Sequence, residues 1–318
     1  MTLYIGIDGG GTKTTAVLCN SSGTVLSDVT LSGSNPNDIG IHASVTLLND
    51  SIDRLLKAFP GSENGTNLRL FAGIAGALNH LQELRRGLQQ HLPSAHIDVH
   101  TDATNLICCE LPTGDGACLI CGTGSACFVR HKSEFLRIGG WGYLLDSGGN
   151  GYTIGRDILE AALMAYDGRG EQTCLSDLIE RFTGKRAESL ITDIYEGGKP
   201  YIASFAPLLL EGIQKNDPVS RDILSENAKS AAIMLDTAYR TLQKPFTAVL
   251  GGGINQHFSP YWQDEIQKHT SAPVTLLTTE MPPVFGAFAK ALAEDGVPCT
   301  DSVRREFKKT WNTRRNPQ

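Results

Sequence analysis

No run of apolar residues in this sequence approaches the roughly 20 that a helix needs to cross a bilayer, so no membrane partner is expected. Positive charge is not in excess: 28 Lys and Arg stand against 34 Asp and Glu, a net charge of −6. A chain without a basic face lacks the electrostatic footprint of a nucleic-acid binder. The opening Met1-Thr2-Leu3 has none of the basic and apolar regions of a secretory leader, and a cytoplasmic location is expected. There, the eight cysteines are expected to be thiols rather than disulfides. Cys118-x-x-Cys121 has a metal-like spacing, but it lies inside an apolar run with no second Cys or His pair at finger-like distance. It reads better as buried small hydrophobes. Also missing are the G-x-x-x-x-G-K-S/T and G-x-G-x-x-G spacings of the common nucleotide loops.

What is present is organised around residues 4–15, YIGIDGGGTKTT. Apolar Ile5 and Ile7 lead to an acid, Asp8. Gly9, Gly10 and Gly11 follow, then Thr12, Lys13 and Thr14, and Ala16, Val17 and Leu18 read as the returning strand. Glycines let a chain turn tightly and bring several N–H groups to one anion. The stretch therefore reads either as a strand–phosphate loop–strand hairpin or as an ordinary Gly-rich turn. In the first case Asp8 would suit a Mg²⁺ held mostly through water.

With 318 residues, of which 41% are hydrophobic, the chain can fill two domains of about 150 residues each. Alternation continues to residue 31 around a Ser21–Gly23 turn, as in a β-meander. The loop 32–37 follows, with Asn35 extended before Pro36 and its amide free to point outward. Val45, Leu48, Ile52, Leu55 and Leu56 have helical spacing, and Pro60-Gly61 closes that helix. A strand over 68–74 runs into Ala75-Gly76, a helix covers 81–92, and a strand covers 97–100. This alternation predicts an α/β fold with a partly parallel sheet. At Thr101-Asp102-Ala103 a strand delivers an acid to a strand–helix junction, where α/β ligands bind. A plain helix cap explains the same residues equally well.

Residues 113–129 replay the opening about 110 residues later: strand, a Gly122-Thr123-Gly124-Ser125 turn, strand. Two similar domains facing one cleft are expected, and such doubled units bind ligands where they meet. The Gly-dense stretch 139–151 carries Trp141, an aromatic face of the kind a sugar uses, and a plain solvent-exposed loop is the competing reading. Helices are expected from Tyr152 to Tyr166 and on to about Leu242, including apolar runs over 202–213 and 221–242. A short strand, 246–250, runs into Gly251-Gly252-Gly253, a flat surface for a base or ribose. A strand over 274–277 follows, then a small-residue helix from Pro282 to Leu292. The basic tail 303–318 reads as a solvated face or frayed end.

The ordered set DGGGTKT (8–14), TDA (101–103), CGTGS (121–125), GGWG (139–142), LGGGI (250–254) and PVFGA (283–287) resembles the actin, sugar kinase and heat-shock ATPase superfamily. Within it, the chain is similar to the N-acetylglucosamine kinase and BadF-type ATPase family over nearly its whole length, to about residue 293. The resemblance implies two ribonuclease-H-like (actin-like ATPase) domains flanking a cleft. They would span 1–113 and 114–318, with the last helix able to return to the first domain. It implies ATP and Mg²⁺ as cofactors, an amino sugar as substrate, and a homodimer. Gly10, Gly11, Thr12 and Lys13 would form the first phosphate loop, and Thr123, Gly124 and Ser125 the second. Gly252 and Gly253 would lie against adenosine, Asp8 would organise Mg²⁺, and Asp102 would be the general base. Asn35, Gly76, Trp141 and Gly142 match sugar-facing positions.

One departure stands out. The family follows GGWG with Gly-Asp-Glu-Gly, whose Asp contacts the hexosamine. Here Ser147 takes that position and Asp146 is one residue early. Either the loop re-registers so that Asp146 makes the contact, or the sugar differs. The resemblance thus implies phosphorylation of N-acetylglucosamine or a related amino sugar, such as glucosamine or N-acetylmuramic acid, at a primary hydroxyl. Two competitors are an activator ATPase with an iron–sulfur cluster between two subunits, and a sugar sensor without turnover.

Overall fold

The computed structural model describes residues 2–59, 67–132, 134–146 and 148–315. It divides into two compact units, Met1–Gly114 with Thr279–Gln318, and Asp115–Thr278. The sequence reading of 114–318 allowed the last helix to return to the first domain, and residues 279–315 do group with the first unit.

In the first unit, strands β1 (Thr2–Gly9), β2 (Lys13–Cys19) and β3 (Val25–Ser32) form a meander. Helices α1 (Pro36–Ile39) and α2 (Ile41–Lys57) follow, then β4 (Asn67–Ile74), α3 (Leu81–His91), β5 (His96–His100) and α4 (Asp102–Glu110). Pro60 and Gly61, expected to close α2, lie outside the described residues. The sheet order is β3-β2-β1-β4-β5. β1 is antiparallel to β2 and parallel to β4, and β4 is parallel to β5. Side chains alternate across a strand, and β1 uses both faces. Leu3, Ile5 and Ile7 join one core with Leu48, Ile52, Leu55, Leu84 and Leu88 from α2 and α3. Tyr4 joins the other core.

That second face is closed by the chain's end. Helix α12 (Pro283–Glu294) lies on β1 and α4. The approach is close: a Cβ on Gly286 would stand 1.8 Å from the Asn105 carbonyl oxygen. The basic tail is neither frayed nor merely solvated, because it forms α13 (Asp301–Arg315). Phe307 is buried between Phe285 and Phe288 with Trp311 stacked beyond it. Arg304 pairs with Glu110, and Arg314 pairs with Asp28 on β3. An apolar stripe, Val303, Phe307 and Trp311, runs along this helix among its cations, a pattern the charge run obscures in the sequence.

The second unit repeats the strand plan. Strands β6 (Gly116–Cys121), β7 (Ser125–His131), β8 (Glu134–Gly139), β9 (Phe246–Gly251) and β10 (Val274–Thr278) form a sheet in the order β10-β9-β6-β7-β8. Read from the other edge, this matches the first sheet pair for pair in direction. Two ribonuclease-H-like sheets thus stand where the sequence repeats its hairpin. Between β8 and β9 run α5 (Gly151–Asp167), α6 (Leu175–Thr183), α7 (Ile191–Ala203), α8 (Leu208–Gln214) and α9 (Pro218–Leu242). After β9 come α10 (Gly253–His257) and α11 (Tyr261–His269). The apolar run 202–213 is not one helix: α7 stops at Ala203 and α8 begins after Pro207, whose ring and missing N–H favour a helix start over a helix interior. Asn150 caps α5 through a reciprocal pair with Thr153. Among the described residues, no helix is long and apolar enough to cross a membrane.

Candidate active site

In the first unit the C-terminal ends of the parallel strands gather the acids. Asp8 lies at the end of β1 opposite Gly73 of β4, and Gly73 lies opposite His100 of β5, two residues before Asp102. Asp102 is the first residue of α4. The cap position belongs to Thr101, whose side chain makes no capping bond. Asp102 Oδ1 accepts the neighbouring Ala103 amide at 3.0 Å.

Asn105 lies one turn along α4. Its Nδ2 donates to Asp8 Oδ1 at 2.9 Å and to the carbonyls of Ile7 and Gly73, each at 3.2 Å. Both acids keep some accessible surface, yet the protein around them removes much of their hydration. Burial pushes the Asp8 carboxyl up to about 6, and the nearby Asp102 charge adds to the rise. Burial also raises Asp102 above the usual carboxylate range. Two neighbouring oxygen-donor acids, eased only in part by the Lys13 charge near Asp8, make a donor set that suits a hard divalent cation.

The hairpin loop between β1 and β2 is pinned from below. Gly10 N–H donates to the Lys13 carbonyl at 2.9 Å, and Ser34 N–H donates to the Gly10 carbonyl at 3.0 Å. Gly11, Thr12 and Lys13 are exposed at the tip. Asn35 and Gly76 come together. Gly76 has φ +71°, and a Cβ there would lie 2.1 Å from Asn35 Oδ1. The Asn35 amide is not wholly free, since its Oδ1 caps α1 by accepting from Asn37 N–H at 3.0 Å. Asn37 Nδ2 in turn donates to the Gly76 carbonyl at 3.2 Å.

In the second unit the β6–β7 turn is closed by Gly122 N–H donating to the Gly124 carbonyl at 2.8 Å. Thr123 borders two cavities. The larger, about 580 Å³, is mostly apolar and takes in Gly151, Ala206, Leu210, Gly253, Ile254 and Phe258. Gly252 is not in its wall: it packs on the Cys121 carbonyl, which a Cβ would approach to 2.4 Å. The smaller cavity, about 100 Å³, takes in Gly124, Ser125, Gly142, Tyr143, Asp146 and Lys199. The Ser125 hydroxyl is engaged, donating to the Gly148 carbonyl at 2.7 Å and accepting from Asn150 Nδ2 at 3.2 Å.

Trp141 is 63% exposed, and the Arg137 guanidinium lies 4.0 Å from the centroid of its ring. Asp146 folds back on its own loop, its Oδ2 accepting the Trp141 amide at 3.1 Å. Ser147 lies outside the described residues. Cys118, Cys121 and Cys127 are fully buried. Among the described residues, the one grouping of three metal-ligating side chains is His96, Asp98 and Glu294, and it includes no cysteine.

Two residues near these features escaped the sequence reading. Asn105 stands three residues after Asp102, and residues at that spacing share a helix face, so its position was open to inference. Lys199 sits in a Gly-Gly-Lys-Pro stretch that itself signals a broken helix.

The sequence and fold have relatives. The family model described as the BadF/BadG/BcrA/BcrD ATPase family matches residues 5–287. An N-acetylmuramic acid/N-acetylglucosamine kinase of Clostridium acetobutylicum is 30% identical over 310 residues, 92% of this chain and 99% of the relative. An N-acetyl-D-glucosamine kinase of Dictyostelium discoideum is 29% identical over 274 residues, 79% of this chain and 85% of the relative. A crystal structure from Chromobacterium violaceum, provisionally named an N-acetylglucosamine kinase, superposes with a TM-score of 0.66 at 22% identity. It covers 91% of this chain and 98% of that one, a likeness of fold. By the span of the family match and the full-length relative, the chain belongs to the BadF/BadG/BcrA/BcrD ATPase family.

Proposed function

We propose that this protein is an ATP-dependent amino-sugar kinase that phosphorylates the primary hydroxyl of N-acetylglucosamine or a close relative. The observation that carries the reading is Asp102, a carboxylate raised by burial at a strand–helix junction. That is what a general base for a sugar hydroxyl needs. The names of the relatives from Clostridium acetobutylicum and Dictyostelium discoideum support an amino sugar.

In the proposed reaction the sugar hydroxyl donates a hydrogen bond to the free oxygen of Asp102, which takes the proton as transfer proceeds. The hydroxyl oxygen forms a bond to the γ-phosphorus of ATP, the bond from that phosphorus to the bridging oxygen breaks, and ADP leaves. Such transfer is mainly positioning and charge neutralisation. Mg²⁺ would be held through Asp8 and would supply charge neutralisation at the phosphates. Gly10 to Lys13 and Thr123 to Ser125 are assigned to the phosphates, Ser125 through its backbone because its hydroxyl is engaged. The 580 Å³ cavity with Gly253 in its wall is assigned to adenosine. Asn35, Gly76, Trp141, Gly142, Asp146 and Ser147 are assigned to the sugar on the resemblance. A cytoplasmic homodimer belongs to the same reading.

The activator alternative would require cysteines able to reach a cluster shared with a second subunit. Full burial of Cys118, Cys121 and Cys127 weighs against those three. ADP release with Mg²⁺ and ATP, measured across N-acetylglucosamine, glucosamine, N-acetylmuramic acid, N-acetylmannosamine, glucose and no sugar, tests the proposal. Turnover confined to amino sugars is expected. Release indifferent to every sugar would overturn it.

A further inference from the structure

Lys199 belongs to no motif, yet the fold brings it to the second glycine turn. Its Nζ lies 3.7 Å from where a Cβ on Gly124 would stand and 5.5 Å from the centre of the Tyr143 ring. Among the described residues, it is the one cation lining the 100 Å³ cavity beside Thr123 and Gly124. Asp146, a carboxylate in its wall, already accepts the Trp141 amide.

The backbone that delivers Lys199 is unusual. Gly198 interrupts α7 at φ +56° and ψ −148°, a region essentially confined to glycine. A Cβ at Gly198 would meet nothing within 4 Å, so the glycine is there for the backbone rather than for space. Pro200 follows at once. The helix is broken immediately before Lys199, whose side chain lines the cavity.

A helix N-terminus would ordinarily supply positive potential to an anion here. The N-terminus of α5 is committed elsewhere. Gly151 N–H donates to the Gly122 carbonyl, Tyr152 N–H to the Thr123 carbonyl, and Thr153 N–H to Asn150 Oδ1. Neutralising charge in this cavity therefore falls to a side chain. Thr123 lines both this cavity and the apolar one, so a molecule with an apolar ring system and an anionic chain could fill both by passing Thr123.

We propose that Lys199 binds the phosphate chain of a purine nucleotide whose nucleoside occupies the adjoining apolar cavity. The proposal rests on the nucleotide reading above and adds a charged ligand to it. The test is calorimetric binding of ADP and of adenosine to the wild-type protein and to Lys199→Ala and Lys199→Arg, with adenosine measured by competition. Loss of a charge-assisted contact predicts that Lys199→Ala weakens ADP roughly 10- to 100-fold and leaves adenosine unchanged. Lys199→Arg is expected to retain most of the ADP affinity. In turnover, Lys199→Ala is expected to raise KM for ATP and leave KM for the sugar unchanged. Equal ADP affinity in the alanine variant would overturn the proposal, and so would an equal loss for ADP and adenosine, which marks a structural role. A wild-type protein that binds neither ligand would instead overturn the nucleotide reading itself.

Discussion

Asn105 Nδ2 donates to Asp8 Oδ1 at 2.9 Å, joining two residues 97 positions apart, and that bond only partly offsets the removal of Asp8 from water. The carboxyl rises to about 6 from an unfolded value near 3.9. Between those two pH values the folded protein holds a proton that the unfolded chain has lost. Stability therefore falls as pH rises through this window and stays low above about 6. Asp8→Asn removes the penalty, about 2–3 kcal/mol at most for a shift of this size, so the metal-free variant should melt higher than wild type at pH 7.5 and match it near pH 4. Mg²⁺ should raise the wild-type Tm and leave that of the variant unchanged. Identical melting profiles across pH would refute the account.

Asp102→Asn keeps the shape at the start of α4 and removes the base. Sugar and nucleotide binding should survive, while kcat falls by about 10²–10⁴-fold. Because burial raises the Asp102 carboxyl, the wild-type rate should fall on the acid side with a midpoint above the ordinary range for aspartate. Near-normal turnover by Asp102→Asn would remove Asp102 from the mechanism.

Gly76→Ala tests the pairing with Asn35. The new Cβ would collide with Asn35 Oδ1 and Asn37 Nδ2 at a left-handed position, so the cap on α1 must move. A displaced Asn35 amide should raise the sugar KM roughly 2–10-fold, the weight of one hydrogen bond, with KM for ATP unaffected. A change in KM for ATP alone would place the Gly76 corner in the nucleotide site instead.

Phe307→Ala tests the last helix. The ring is fully buried and stacked against Phe288 and Trp311, and truncations of this kind cost about 3–5 kcal/mol. Chemical denaturation should show a loss of that order. A change near zero would return α13 to the status of a solvated tail.

Much of the fold was legible because it is written in short-range chemistry. Alternating apolar residues with glycine turns marked β1–β2 and β6–β7, and the repeated hairpin marked two units with the same strand plan. The break between α7 and α8 was hidden by the apolar residues on both sides of Pro207. The tail was misread because six cations in the sequence outweighed the stripe formed by Val303, Phe307 and Trp311.

The sequence by itself determined the family, the two Gly-turn hairpins and the acid after β5, since each depends on a few neighbouring residues and their backbone needs. Only the tertiary structure decided that Asn105 holds Asp8, that the Ser125 hydroxyl is already engaged, that Lys199 reaches the Gly124 turn, and that residues 279–315 close the first unit. Those relations depend on sheet register and helix packing between distant segments, which local periodicity does not encode.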